Sequence, residues 1–288
     1  MLGLLLLQVL NAASICQVYA NKYRFATLYD RNRRIPVYSA YKYQPGNGSR
    51  SDSWFVEPQE GHVYDFSLIH LFSCIEMTKN GVLTIRDVCS RVICFIPCIL
   101  STDTFSSYHF KLVNKDYRKD MQTEDSIIRQ YNTSANEIGK NQAIDNDYMN
   151  LTNLDRGHLC PSSHQIDDDS RTATFTLTNI VPQDRTLNQH AWREYEEGMM
   201  QKSRGCTTTY VITGAVHGDT NVPSGRVNIP SHIWSAACCV KGKKPLRSWG
   251  AIAKNNENVV QNLTLVRLEK WLEKLYNGGV ILFNNSCT

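Results

Sequence analysis

Alternating apolar and polar positions predict strands near both ends of the chain, with helices in its second half. Residues 25–43 read as a β-hairpin. Residues 25–29 and 35–41 are rich in β-formers, and the polar run 30–34 separates them. Pro45, Gly46, Asn47, Gly48 and Ser49 make a loop. From Asn150 the pattern sharpens. Residues 151–159 lead into an extended segment, and residues 172–178 show strand alternation. Thr186 with Gln189 is a capping-box pattern, which predicts a helix from Leu187 to about Gln201 with Gly205 after its end. Residues 210–213, 228–234 and 249–253 read as strands. Thr264 caps a predicted helix over 265–276, stopped at Gly278 and Gly279, and 280–283 reads as a short last strand.

Two stretches break this order. Residues 62–121 include an apolar, cysteine-rich part with Cys89, Cys94 and Cys98 close together and no clean period. Its run 92–100 is too short to span a bilayer as a helix. Residues 122–146 are polar and read as loop. At the start, residues 1–10 are apolar and uncharged, and Asn11, Ala12, Ala13 and Ser14 follow as small or polar residues. This predicts a signal peptide over 1–14, although the usual basic n-region is missing; the alternative is a buried N-terminal strand.

Composition narrows the class. At 288 residues, with 42% hydrophobic and 20% charged residues, the chain suits a globular domain with a substantial core. A net charge of +4 permits a polyanionic substrate without demanding one. Ten cysteines, the leader and the sequons at Asn47, Asn132, Asn150, Asn262 and Asn284 favour the secretory route. Cys206, Cys238, Cys239 and Cys287 lie in well-patterned sequence and are the expected disulfide partners, with connectivity open.

Residues 155–196 carry chemistry. Hydrolysing a phosphodiester needs a base for water, a cation for the charge growing on phosphorus and the leaving oxygen, and a grip on the backbone. The unperturbed pKa of an imidazole lies near neutrality, so His158 is the base candidate. Asn188 offers an amide oxygen, a hard ligand for Mg²⁺. Glu196 lies two turns further along the predicted helix and could orient a metal-bound water. Arg156, two residues before His158 on an extended segment, points to the same face and could hold the phosphate. Taken singly, each of these residues has an ordinary structural explanation. Their order and spacing carry the case.

Asp155-Arg156-Gly157-His158, with the run from Thr176 to Gln183 and that from Leu187 to Glu196, resembles the DNA/RNA non-specific endonucleases of the ββα-metal type. That family includes secreted bacterial nucleases and mitochondrial endonuclease G. Residues 25–41 and 227–239 are also similar to the animal endonuclease domain-containing 1 group. The resemblance implies an α+β fold, a ββα-metal nuclease with a central antiparallel sheet flanked by helices. It implies His158 as general base, Asn188 as sole protein ligand of Mg²⁺ (or another divalent cation such as Mn²⁺) and Glu196 as holder of a bound water. It further implies Arg156 on the phosphate, Asn179 as a polar residue near the scissile group and Arg50 as a second phosphate-binding arginine.

Two features depart from the family. Cys160 stands where members usually carry Asn. With His164 nearby it suggests zinc, but no convincing fourth ligand exists, so Cys160 reads as a packed thiol or a disulfide partner. Residues 62–121 match nothing in the family and read as an atypical insert, either lineage-specific or a gene-model artefact, within a single domain over 15–288. The expected protein is a secreted Mg²⁺-dependent endonuclease that cuts DNA and RNA, contacts them through the phosphate backbone and leaves 5′-phosphates. Similar enzymes often dimerise, but no interface signature stands out here. The alternative is a catalytically impaired nuclease fold serving as a binding or scaffold protein. A disulfide-rich adhesion module would explain the cysteines and sequons but not the spaced site residues.

Overall fold

The computed structural model describes residues 12–49, 51, 53–58, 76–77, 83–84, 120–283 and 286–287. Strands are β1 (Ala12–Tyr19), β2 (Lys22–Asp30), β3 (Ile35–Tyr43), β4 (Phe55–Val56), β5 (Glu76–Met77), β6 (Leu83–Thr84) and β7 (Gln122–Thr123). They continue as β8 (Leu154–His158), β9 (Ile180–Asp184), β10 (Thr208–Val216), β11 (Thr220–Asn221) and β12 (Asn228–Ile229). The last are β13 (His232–Lys241), β14 (Lys244–Lys254) and β15 (Gln261–Leu263). Helices are α1 (Glu124–Tyr131), α2 (Ala135–Ile138), α3 (Asp168–Ala173), α4 (Arg185–Gln189), α5 (Ala191–Lys202) and α6 (Leu265–Leu275).

One antiparallel sheet of seven strands, in the order β1-β2-β3-β10-β13-β14-β15, divides the molecule. Its central strands are buried on both faces, so period-2 alternation sorts their side chains into two cores. Val211, Ala215, Ile233, Ala237 and Cys239 join the core on the side of α5. Tyr210, Ile212, Trp234, Ala236 and Cys238 join the core under α6. Adjacent Cys238 and Cys239 therefore face opposite sides. Cys239 bonds Cys206 on one, and Cys238 bonds Cys287 on the other. All four expected partners are used. Cys160 is a buried thiol, as one of its two readings had it.

The hairpin over 25–43 is present as β2 and β3, and Thr264 caps α6 by accepting from the Arg267 N–H. Leu265, Leu268 and Leu272 dock that helix on the sheet. Residues 1–11 lie outside the described residues, but β1 begins at Ala12 and pairs with β2 along its length. Most of residues 62–121, the expected insert, also lies outside them; Glu76–Met77 pairs with Leu83–Thr84.

Four expectations need correction. Residues 172–178 are not a strand. Asp167 accepts from the Ser170 N–H and starts α3, and the chain then turns, with Phe175, Thr176, Leu177 and Thr178 all buried. The alternation there sorts apolar from polar neighbours inside the core, not inside from outside. Residues 122–146 are not loop. Thr123 and Ser134 cap α1 and α2, which dock through Ile127 and Ile138. Residues 280–283 form no strand; the Leu282 N–H bonds the Glu269 carboxylate instead, at 2.7 Å.

The fourth concerns the predicted helix over 187–201, which is two helices. Asp184, not Thr186, is the cap, accepting from the Leu187 N–H at 2.9 Å. At His190 the backbone leaves helical geometry (φ −124°, ψ −93°), and α5 starts afresh. Asn188 and Glu196 therefore sit on successive helices rather than on one face of a single helix.

Candidate active site

β8 and β9 pair antiparallel, with His158 opposite Ile180 and Asp155 opposite Gln183, and α4 follows at once. Gly157 lies against the buried Gln183 side chain, where a Cβ would collide with the amide. Asn255 fastens this unit to the main sheet. Its Oδ1 accepts from the Asp184 N–H at 3.0 Å, and its Nδ2 donates to the carbonyls of Pro182 and Pro230.

The half-buried His158 ring packs between aromatics. Phe175 meets it edge-on at 4.8 Å and Trp54 lies at 5.5 Å. The Arg156 guanidinium lies over the same Trp54 ring at 4.9 Å and over Tyr148 at 5.5 Å. Both side chains thus leave one face of β8, as the spacing predicts. Arg156 also pairs with Asp145 at 2.8 Å.

Asp155 organises the next layer. Asn188 Nδ2 donates to its Oδ2 at 3.1 Å, Gln189 Nε2 donates to the same oxygen at 2.8 Å, and Arg185 reaches Oδ1 at 3.0 Å. Partial burial opposes ionisation of Asp155, but these donors hold its carboxyl below the ordinary value. With its NH₂ committed to Asp155, the Asn188 amide turns its carbonyl oxygen away from that carboxylate, and this oxygen is the ligand type Mg²⁺ prefers.

Burial raises the Glu196 carboxyl to about 8, against an opposing contribution from the Trp192 indole; the neighbouring Glu197 adds to the rise. A nearby cation would relieve that cost. An amide oxygen with waters is the donor chemistry a hard cation accepts, and a carboxyl such as Glu196 could hold one of those waters. Among the described residues no three His, Cys, Asp or Glu side chains converge on a metal position.

Asn179 lies beside His158, its carbonyl accepting from the Leu159 N–H at 2.9 Å. It is wholly buried and all its hydrogen-bonding capacity is used inside the fold. Oδ1 accepts from Ser39 Oγ at 2.8 Å and the Cys160 N–H at 3.0 Å, while Nδ2 donates to the carbonyls of Cys160 and Thr174 at 3.0 Å. It positions the chain just after His158 and has nothing left for a scissile group. Arg50 lies outside the described residues.

Several contributors had weak sequence signals. Glu57 is buried, accepting from Thr176 and Thr178 at 2.9 and 3.0 Å. Burial raises it to about 7, against those hydroxyl bonds. Phe55 accepts from the Leu177 N–H and donates to the Phe175 carbonyl, tying β4 to the turn that carries the ring against His158. His164 bridges the Tyr41 hydroxyl at 3.0 Å and the Glu196 carbonyl at 3.1 Å, which joins the loop after β8 to α5. This structural use agrees with discounting a zinc site. Asp155 itself stood in the quoted motif, but only the fold shows what it grips.

The antiparallel pair β8–β9 followed at once by α4, set against a large antiparallel sheet, is the ββα-metal nuclease arrangement, with His158 and Asn188 on that unit and half-buried Glu196 on the next helix. The chain belongs to the DNA/RNA non-specific endonuclease family, which residues 101–285 match. It is 28% identical over 281 residues to the human endonuclease domain-containing 1 protein, covering 95% of this chain and 43% of that one. The mouse protein of the same name is 27% identical over 267 residues, covering 90% and 41%. Human mitochondrial endonuclease G is 32% identical over 92 residues, 32% of this chain and 28% of that one. The chain thus spans less than half the length of these curated relatives. A solved EndoG/EndoGI complex superposes at 13% identity with a TM-score of 0.49, covering 97% of this chain and 91% of that one.

Proposed function

We propose that this chain is a secreted, Mg²⁺-dependent endonuclease that hydrolyses DNA and RNA with little sequence preference and leaves 5′-phosphates. The observation that carries the reading is Asp155 orienting the Asn188 amide on the same β8–β9–α4 unit that presents His158 and Arg156. In this mechanism His158 takes a proton from the attacking water, its ring held by Phe175 and Trp54. Arg156, steered by Trp54 and Asp145, holds the phosphate. Asn188 would ligate Mg²⁺ and Glu196 would hold one of its waters; the ion supplies charge stabilisation at the phosphorus and the leaving oxygen. Attack on the shared sugar-phosphate backbone accounts for low sequence preference.

The two disulfides accord with the secretory route. Among the described residues no helix is long and apolar enough to cross a membrane. In this reading residues 1–14 are a signal peptide, and removing them would leave β1 to start at Ile15. Intact-mass measurement of the secreted chain tests that cut.

The decisive experiment is plasmid nicking with Mg²⁺ and with EDTA, on wild type and His158→Ala. Wild type should nick only with metal. His158→Ala should lose on the order of 10²–10⁴-fold in rate at an unchanged melting temperature. Metal-independent cleavage, or none by folded wild type, overturns the proposal.

A further inference from the structure

An unbalanced group of cations lies at the turn between β13 and β14, at the end of β14 opposite to Asn255. Segments 202–208 and 238–250 hold six Lys and Arg side chains and no Asp or Glu, in a chain whose whole excess is +4. The remainder is therefore net acidic. Lys241, Lys243 and Lys244 stand exposed on the tight turn between β13 and β14, where Gly242 takes a φ of +63°. Lys202, Arg204 and Arg247 lie behind them. Among the described residues none of the six pairs with a carboxylate.

This turn is held firmly. The Cys206–Cys239 disulfide crosses from one segment to the other. The Gly242 N–H donates to Thr207 Oγ1 at 2.9 Å, and the Thr207 N–H donates to the Val240 carbonyl at 2.8 Å. Arg247 Nε donates to the Lys202 carbonyl at 2.8 Å, closing the end of α5. A turn whose backbone is already held loses little backbone entropy on meeting a polyanion. An anionic membrane would fit a turn with large apolar anchors, but this turn offers lysines and one glycine, with exposed Pro245 and Leu246 beside it.

Geometry sets its relation to the site. β14 runs from Lys244 beside the turn to Lys254, and the next residue, Asn255, holds the cap of α4. Eleven strand residues at about 3.3 Å each separate the two ends by roughly 30 Å. A duplex rising 3.4 Å per pair covers that distance in about ten base pairs.

We propose that the 241–244 turn, held in place by the 202–208 segment, forms a second contact for the phosphate backbone of long nucleic acid, about ten base pairs along β14 from the Asn255 end that is tied to the ββα unit. This rests on the nuclease reading for its ligand, so its test avoids cleavage. Binding of labelled 6- and 24-base-pair DNA duplexes is measured in EDTA by fluorescence anisotropy, for wild type and K241A/K243A/K244A. The variant should bind the long duplex on the order of tenfold more weakly and with a shallower salt dependence, since three phosphate contacts are lost. Binding of the short duplex should stay within twofold, and K241R/K243R/K244R should restore long-duplex binding. Equal loss at both lengths, no loss at either, or a defect only toward phosphatidylserine vesicles overturns the proposal. Mg²⁺-dependent nicking of a short duplex by wild type and variant alike separates this failure from failure of the nuclease reading.

Discussion

The two faces of the central sheet are held by different means. Under α6 the contacts are apolar: Leu268 and Leu272 meet Ile212, Trp234 and Ile252. The opposite face has its own apolar core, which takes in Ile180, Val181 and Leu187 of the ββα unit, and it adds a buried polar network beneath that unit. Gln17 donates to Thr178, Thr176 and Thr178 donate to Glu57, and Ser39 donates to Asn179. Apolar packing is tolerant of small shifts in orientation, whereas a satisfied hydrogen-bond network specifies direction. The face that must aim an imidazole and an amide is the one that adds directional contacts to its apolar packing.

The largest effect that tests this contrast is Leu268→Ala. It empties a fully buried position, and loss of about 2–5 kcal/mol is expected by denaturant unfolding. Nicking by the folded fraction should stay within twofold of wild type. Asn179→Ala should cost about 3 kcal/mol, because it strands the Cys160 N–H and leaves two carbonyls short of a donor. Unlike Leu268→Ala, it should also slow nicking at temperatures where the protein stays folded. Equal loss of activity in the two variants would show that the faces do not divide the work.

This division also decides what the sequence makes legible. The hairpin over 25–43, the helix capped by Thr264 and the four paired cysteines follow from local alternation, capping and placement, and they belong largely to the regular sheet. The errors cluster near the site. Alternation over 172–178 suggested a strand because Thr176 and Thr178 look like surface positions, yet both are buried donors to Glu57. Thr186 and Asp184 compete as caps two residues apart, and the Asp184 bond to Leu187 wins. His158, Arg156, Asn188 and Glu196 could be named from order and spacing. That Asn179 spends its whole amide on Ser39, Cys160 and Thr174 could not, because those partners come from three separate stretches of chain.

The buried polar face should also leave a mark on pH dependence. Burial raises Glu57 to about 7 from an ordinary 4.5. Between those values the folded protein keeps a proton that the unfolded chain has released, so this group's contribution to stability falls as pH rises. The full difference is about 3 kcal/mol, fully present below pH 4.5 and gone above pH 7. Glu57→Gln removes the titration and should keep the hydroxyl contacts. The difference in unfolding free energy between variant and wild type should therefore grow from pH 4.5 to 8. A flat difference across that window would mean that Glu57 is not held protonated by its surroundings. His164, which burial lowers to about 4, works in the opposite direction, so only the difference between proteins isolates Glu57.

The smallest expected effect bears most directly on the site. Asp155 is only partly buried, and its removal should move the melting temperature little. Its bonds to Asn188 and Gln189 nevertheless set which way the Asn188 amide faces. Without them the amide can rotate and present its NH₂ where an oxygen is needed. Asp155→Ala should therefore raise the Mg²⁺ concentration for half-maximal nicking by about 10–100-fold, the usual cost of losing the group that orients a metal ligand. The rate at saturating Mg²⁺ should recover most of its wild-type value. Asp155→Asn keeps one oxygen acceptor and should fall between the two. Loss that excess Mg²⁺ does not rescue would mean that Asp155 acts on the geometry of β8 and His158 rather than through Asn188.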